Sequence, residues 1–162
     1  MKPFHALLIP ICAFAAAQTA FAEEISVRAI NVTTGAGVKN CDVSLLGGLS
    51  NVPAQQRWLT GIKYLTTATD GRARFNITQP LPNFVEAVVD SYECFPCDRP
   101  SVFAVDEVLR IGVLNGLNGK NDKGEPYCRP NLKKLEEITA KPGEIVIFVR
   151  RTSFIERWMM RE

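Results

Sequence analysis

The sequence predicts a mainly β fold: a sandwich of short strands carrying one helical insertion and ending in a short helix. Three observations lead there. Apolar and polar residues alternate with period two from Glu24 to Asp90, turn residues separate the alternating runs with no helical spacing between them, and Glu144–Arg150 reads EIVIFVR, an apolar run of strand length. Short strands joined by turns favour two packed antiparallel sheets over an alternating α/β sheet.

Taken in order, the chain opens with Lys2, an apolar stretch from Ala6 to Ala17, and the small-x-small triplet Ala20-Phe21-Ala22 before acidic Glu23 and Glu24. That order is expected of a secretory signal peptide over residues 1–22, and its apolar run is shorter than the roughly 20 residues a bilayer requires. Residues 23–162 then form one domain, with an insertion at about 91–140, and no later run is apolar enough to span a membrane. The expected product is secreted or periplasmic.

Ile25, Val27 and Ala29 share one face of the first strand, and Cys41, Val43 and Leu45 one face of the second. Asp70-Gly71 carries the strongest hairpin signal in the chain and is read as joining Lys63–Thr69 to Arg72–Ile77. Ala73, Phe75 and Ile77 face inward opposite Arg72, Arg74 and Asn76; Val85, Ala87 and Val89 repeat the pattern after the turn Pro80–Asn83. The strand at Glu144–Arg150 follows the turn Lys141-Pro142-Gly143 and is apolar on both faces, so it is expected to have neighbours on both.

One segment departs from period two. Val102, Val105, Val108 and Leu109 fall at helical spacing, predicting two to three helical turns capped by Pro100-Ser101 and stopped at Gly112. Asn115–Pro130, rich in Gly, Asn, Lys and Asp, reads as an exposed loop, and Leu132, Leu135 and Ile138 suggest a further helical turn. At the C-terminus Phe154, Ile155, Trp158 and Met159 line one side of a short helix, with Glu156 and Arg157 turned away.

Composition narrows the chemistry. The one histidine is His5, inside the expected signal peptide, so the processed chain would lack every Ser-His-Asp, Cys-His and Cys₂His₂ arrangement. With 19 Lys and Arg against 17 Asp and Glu, no basic excess points to nucleic acid. Cys41, Cys94, Cys97 and Cys128 remain, an even number that in an exported domain predicts two disulfides. We expect Cys128 to bridge to Cys94 or Cys97 with Cys41 taking the other; the alternative is a local Cys94–Cys97 bond with Cys41–Cys128. Cys94-Phe95-Pro96-Cys97 also has thioredoxin-like spacing, but no βαβ unit surrounds it, and a Cys₄ zinc site lacks its usual second pair.

Two stretches, Ile25–Leu45 (ISVRAINVTTGAGVKNCDVSL) and Thr67–Ile77 (TATDGRARFNI), together resemble the carboxypeptidase regulatory-like domain, a transthyretin-related sandwich of exported bacterial proteins. Thr34-Gly35 stands at that family's Thr-Gly turn, Val43 at its strand residue, and Asp70-Gly71 with Phe75 at its later element before a strand; Asn40-Cys41 replaces the expected Gly-Ala. The resemblance implies a Greek-key, prealbumin-like sandwich serving as an accessory module without catalytic residues or cofactor.

Other motifs are weak. Gly112, Gly116 and Gly119-Lys120 miss the phosphate-loop pattern at Leu114 and Asn121, Asn118–Glu125 lacks the acidic order of a calcium loop, and Glu136-Glu137 beside Lys133-Lys134 reads as a solvated face. Asn31-Val32-Thr33 and Asn76-Ile77-Thr78 are glycosylation tripeptides that the bacterial resemblance makes irrelevant. The candidate binding residues are aromatic. Trp58 and Tyr64 flank the turn-rich segment 47–61, where they either cover the core edge or stack on a glycan or peptide, and Phe154 and Trp158 either pack on the chain's own sheet or dock on a partner. The functional expectation is an exported, non-enzymatic binding or scaffolding module for a protein or glycan partner, with a carbohydrate-binding module or a thiol-disulfide oxidoreductase using Cys94 and Cys97 as alternatives.

Overall fold

A computed structural model of the protein describes residues 23–48, 63–153 and Glu156. Strand β1 (Glu23–Asn31) buries Ile25, Val27 and Ala29 on one face, as the alternation predicts. It runs antiparallel to β4 (Arg72–Ile77), with Ile25 opposite Phe75, and parallel to β9 (Glu144–Arg151), with Val27 opposite Ile145. The far edge of β9 is completed by β6 (Cys94–Pro96), antiparallel, and by the two-residue β8 (Val113–Leu114), parallel. This is sheet A. Sheet B has the order β3-β2-β5-β7, built from β2 (Asp42–Gly48), β3 (Lys63–Thr66), β5 (Phe84–Val89) and β7 (Val102–Ala104), all antiparallel. The sheets form a β-sandwich, and between them lie Val27, Val43, Phe75, Val85, Ile145 and their neighbours.

Asp70-Gly71 is a turn, but not a hairpin joining two paired strands. The segment before it, β3, pairs with β2 in sheet B, whereas β4 pairs with β1 in sheet A, so this turn carries the chain from one sheet to the other. Side-chain and backbone bonds fix the crossing. Thr67 Oγ1 donates to the Val38 carbonyl at 2.7 Å and accepts from the Cys41 N–H at 2.9 Å, and the Ala29 N–H donates to the Gly71 carbonyl at 2.8 Å. A dipeptide signal reports local turn chemistry; which sheet receives each strand depends on partners far along the chain, from 18 residues away for Leu45 and Lys63 to 54 for Glu23 and Ile77.

The helical insertion also differs from expectation. Val102–Ala104 is strand β7, Val102 faces outward, and the helix α1 occupies only Val105–Ile111, behind Ala104. Pairing with β5 holds three residues extended that helical spacing would have coiled. Ser101 does not cap the helix; its Oγ donates to Asn115 Oδ1 at 2.6 Å. Gly112 ends the helix as predicted, at φ 74°.

Asn115–Pro130 is not a wholly exposed loop. Leu117, Tyr127 and Cys128 join Leu135 of helix α2 (Leu132–Leu135), Ile138 and Ala140 in a second core, set against Ile30, Val32, Val146 and Phe148 on the outer face of sheet A. Sheet A is therefore sandwiched between sheet B and this added layer. That explains β9, whose Ile145, Ile147 and Val149 enter the first core while Val146 and Phe148 enter the second. The expectation of neighbours on both of its faces holds.

Candidate functional site

Cys94 and Cys97 are not partners. Cys41 bonds Cys94, and Cys97 bonds Cys128, one of the pairings expected from the sequence. In extended chain, residues an odd number apart point to opposite faces. Cys94 accordingly enters the core between the sheets, where it staples β6 to the start of β2, and Cys97 enters the second core, where it staples sheet A to the added layer. With Cys94 2% and Cys97 0% exposed, and each bonded elsewhere, the pair lacks the exchangeable dithiol that CxxC redox chemistry uses. Nor do these four sulfurs offer thiolates to a metal.

The glycines of the weak phosphate-loop pattern have packing reasons. A Cβ on Gly116 would strike the Asp98 carboxylate, and one on Gly119 the Tyr127 ring and the Cys97 carbonyl. In the neighbouring turn Asn121 Oδ1 accepts from the backbone N–H groups of Lys123 (3.0 Å) and Glu125 (2.9 Å), so its oxygen is already engaged.

A charged cluster lies on the outer face of sheet A beside the added layer. The Glu144 side chain is 3% exposed; its Oε1 accepts from Arg72 Nε at 3.0 Å and sits 3.1 Å from Arg28 Nε, while Oε2 accepts from the Lys141 N–H at 3.2 Å. Arg28 also donates to the Thr139 carbonyl at 2.7 Å. One buried carboxylate thus joins β1, β4, the turn before β9 and the added layer. At the outer edge of the cluster, the Arg72 backbone N–H holds the Asp70 carboxyl below the usual carboxylate range.

Arg150, at the other end of β9, stacks over the Phe95 ring at 4.6 Å, and Phe95 meets Tyr127 edge to face at 5.5 Å. The guanidinium grips Glu156 through two bonds of 2.9 and 2.7 Å. Glu156 is therefore turned toward sheet A, not away from it. It is also half of a capping box: Ser153 N–H donates to Glu156 Oε2 at 2.8 Å and Glu156 N–H to Ser153 Oγ at 3.2 Å. The Ser-x-x-Glu spacing at 153–156 was the signal that could have revealed it. The Arg150 bonds hold the Glu156 carboxyl down to about 2.

What remains is the outer face of sheet B. Across the strands, rows place Tyr64, Ser44 and Val88 side by side, then Leu46, Glu86 and Val102, then Gly48, Phe84 and Ala104. Leu46, Val88 and Phe84 belong to neither core among the described residues, Tyr64 is 70% exposed, and Val102 is 37% exposed. The last row opens into an apolar groove of about 440 Å³ between α1 and the turn before β5, lined by Leu81, Pro82, Phe84, Ala104, Val105 and Leu109 with Asn83 and Asp106. Of the sequence-predicted binding residues only Tyr64 is placed; Trp58, Phe154 and Trp158, and with them the C-terminal helix beyond Glu156, lie outside the described residues. Sequence reasoning missed Leu46 and Phe84, and read Leu109 only as an apolar position of the helix. The signal was present in FVEAVV at 84–89, which like EIVIFVR carries apolar residues on both faces of one strand.

Among the described residues no helix is long and apolar enough to cross a membrane, and no cluster of three His, Cys, Asp or Glu could hold a metal. Compared with known proteins, the chain matches no family model and no curated protein.

Proposed function

We propose that the chain is an exported, non-enzymatic accessory domain of the carboxypeptidase regulatory-like, transthyretin-related kind, which binds or scaffolds a protein partner through the outer face of sheet B. The observation that carries this reading is an asymmetry. Sheet A is covered on both faces by described cores, whereas the outer face of sheet B carries the exposed Tyr64 and Val102 beside the half-buried Leu46, Val88 and Phe84, none of which belongs to either core among the described residues. These apolar side chains surround Ser44 and Glu86 at the centre of the rows, and protein interfaces mix apolar and polar surface in this way. The prealbumin-type Greek key is supported by the chain's passage between sheets after β1, after β3 and again after β4, and by the parallel β1–β9 pair. Two buried disulfides suit an oxidising compartment.

The exposed ring of Tyr64 on a β face also favours a second reading, a carbohydrate-binding module. A photo-crosslinking amino acid placed at Tyr64 or Val102, and as control at Lys133 on the opposite layer, separates these readings in the producing cells. The protein-binding reading expects protein adducts from Tyr64 and Val102 but not from Lys133. Adducts from Lys133 alone would overturn it, and glycan adducts at Tyr64 would favour the second reading. Fractionation with N-terminal sequencing tests export, with Glu23 the expected first residue.

A further inference from the structure

We infer that the groove between α1 and the turn before β5 receives the C-terminal segment Arg157–Arg161 of a second copy of this chain. The inference rests on the reading of this chain as a binding module and names its occupant. The groove is apolar along Leu81, Pro82, Phe84, Ala104 and Leu109, and its lining holds one charged residue, the carboxylate of Asp106, and no cation. A fitting ligand therefore carries large apolar side chains flanked by a positive charge. The segment Arg157-Trp158-Met159-Met160-Arg161 has that composition: three large apolar residues between two arginines. Tryptophan and arginine are the residues that most often anchor interfaces, and methionine adapts to irregular apolar surfaces.

Chain geometry decides which copy supplies it. Glu156 is clamped to Arg150 near the end of β9. The groove lies at the opposite end of that strand, because the Gly143 N–H, just before β9, donates to the Val108 carbonyl of α1 at 2.8 Å. Glu144 and Arg150 are separated by roughly 20 Å of strand. Trp158, two residues beyond Glu156, reaches no more than about 7 Å in extended chain, and even Arg161, five residues beyond, no more than about 18 Å. While the Arg150–Glu156 clamp is closed, the groove of the same molecule is out of reach and that of a neighbour is not.

The test uses the full-length chain and a variant ending at Glu156, which keeps the clamp and both disulfides. Sedimentation velocity across a concentration series is expected to show association of the full-length chain and a monomer for the shortened one. A fluorescein-labelled peptide of residues 153–162, titrated onto the shortened variant, is expected to bind saturably. Asp106→Asn should weaken binding about tenfold, as should Trp158→Ala in the peptide, and Ala104→Phe, which fills the groove, should abolish it. Circular dichroism and disulfide mapping verify that each variant is folded. A peptide that does not saturate, or that binds D106N and A104F as well as the parent, overturns the inference. So does a full-length chain that stays monomeric at all concentrations. If the tail peptide fails while apolar-basic peptides selected from a display library bind and are lost on A104F, the inference fails and the binding-module reading stands.

Discussion

Cys94 and Cys97, three residues apart, project from opposite faces of sheet A and end in different cores, each tied to a cysteine of a different layer. On the first turn of a helix the same spacing brings two sulfurs together. In extended chain it drives them apart. The motif at 94–97 therefore serves as a pair of staples, one joining the two sheets and one joining sheet A to the added layer.

Loss of the two staples should produce different damage. The Cys97–Cys128 bond closes 31 residues of sequence and Cys41–Cys94 closes 53, separations for which loop-closure entropy gives roughly 3–4 kcal/mol each. C97A/C128A is expected to leave the sheet core folded while limited proteolysis cuts within residues 115–140; C41A/C94A is expected to lower the global denaturation midpoint. Identical protease maps for the two double variants would contradict the layered arrangement.

Glu144→Gln keeps the size of the side chain but removes the charge between Arg28 and Arg72, leaving two partly buried guanidinium groups facing an amide. Losing charge-assisted hydrogen bonds of this kind costs about 1.5–3 kcal/mol. Urea unfolding should show a lower midpoint with an unchanged slope. A midpoint equal to that of the parent would show that the cluster contributes nothing to stability.

Glu156 should stay ionised far into the acid range. Its carboxyl, ordinarily near 4.5, is held at about 2 by the Arg150 guanidinium. Because the folded-state value is depressed, the clamp's contribution is fully present above pH 4.5, declines below it, and is gone once pH falls through about 2. Its size is reduced by solvent, since about a third of each side chain is exposed. Carboxyl-carbon NMR across pH 1.5–6 reads this directly, and a Glu156 midpoint near 4.5 would mean that the bidentate pair does not persist in solution.

Gly71 and Gly124 share a φ of 78° and differ in surroundings. Alanine at either pays the left-handed backbone cost of about 1–2 kcal/mol. At Gly71 the added carbon would also lie 2.7 Å from both the Ala29 carbonyl oxygen and Gly37 Cα, whereas at Gly124 it meets nothing within 4 Å. G71A should therefore lower the melting temperature several degrees further than G124A. Equal shifts would show that the sheet-crossing turn relaxes freely.

By itself the sequence determined the inward faces. Ile25, Val27, Ala29, Cys41, Val43, Leu45, Ala73, Phe75, Val85, Ala87 and Val89 are buried because a two-residue period in extended chain leaves no other face for them. The two-sided burial of the 144–150 strand, a helix ending at Gly112, and a disulfide from Cys128 were legible for similarly local reasons of hydropathy, dihedral freedom and cysteine number. Only the tertiary structure decided which strands are neighbours. Asp70-Gly71 has the chemistry of a hairpin and the role of a crossover, because β3 and β4 find their partners in different sheets. Val102–Ala104 has helical spacing and is a strand, because β5 offers it hydrogen bonds. The segment 115–130 reads as polar loop, because its few apolar residues, Leu117 and Tyr127, follow no period and meet Leu135 of the following helical turn and Ile138 beyond it only once the chain has folded onto sheet A. Patterns of local period are set by the residue itself; pairing and layering are set by residues far along the chain, whose positions depend on the whole fold.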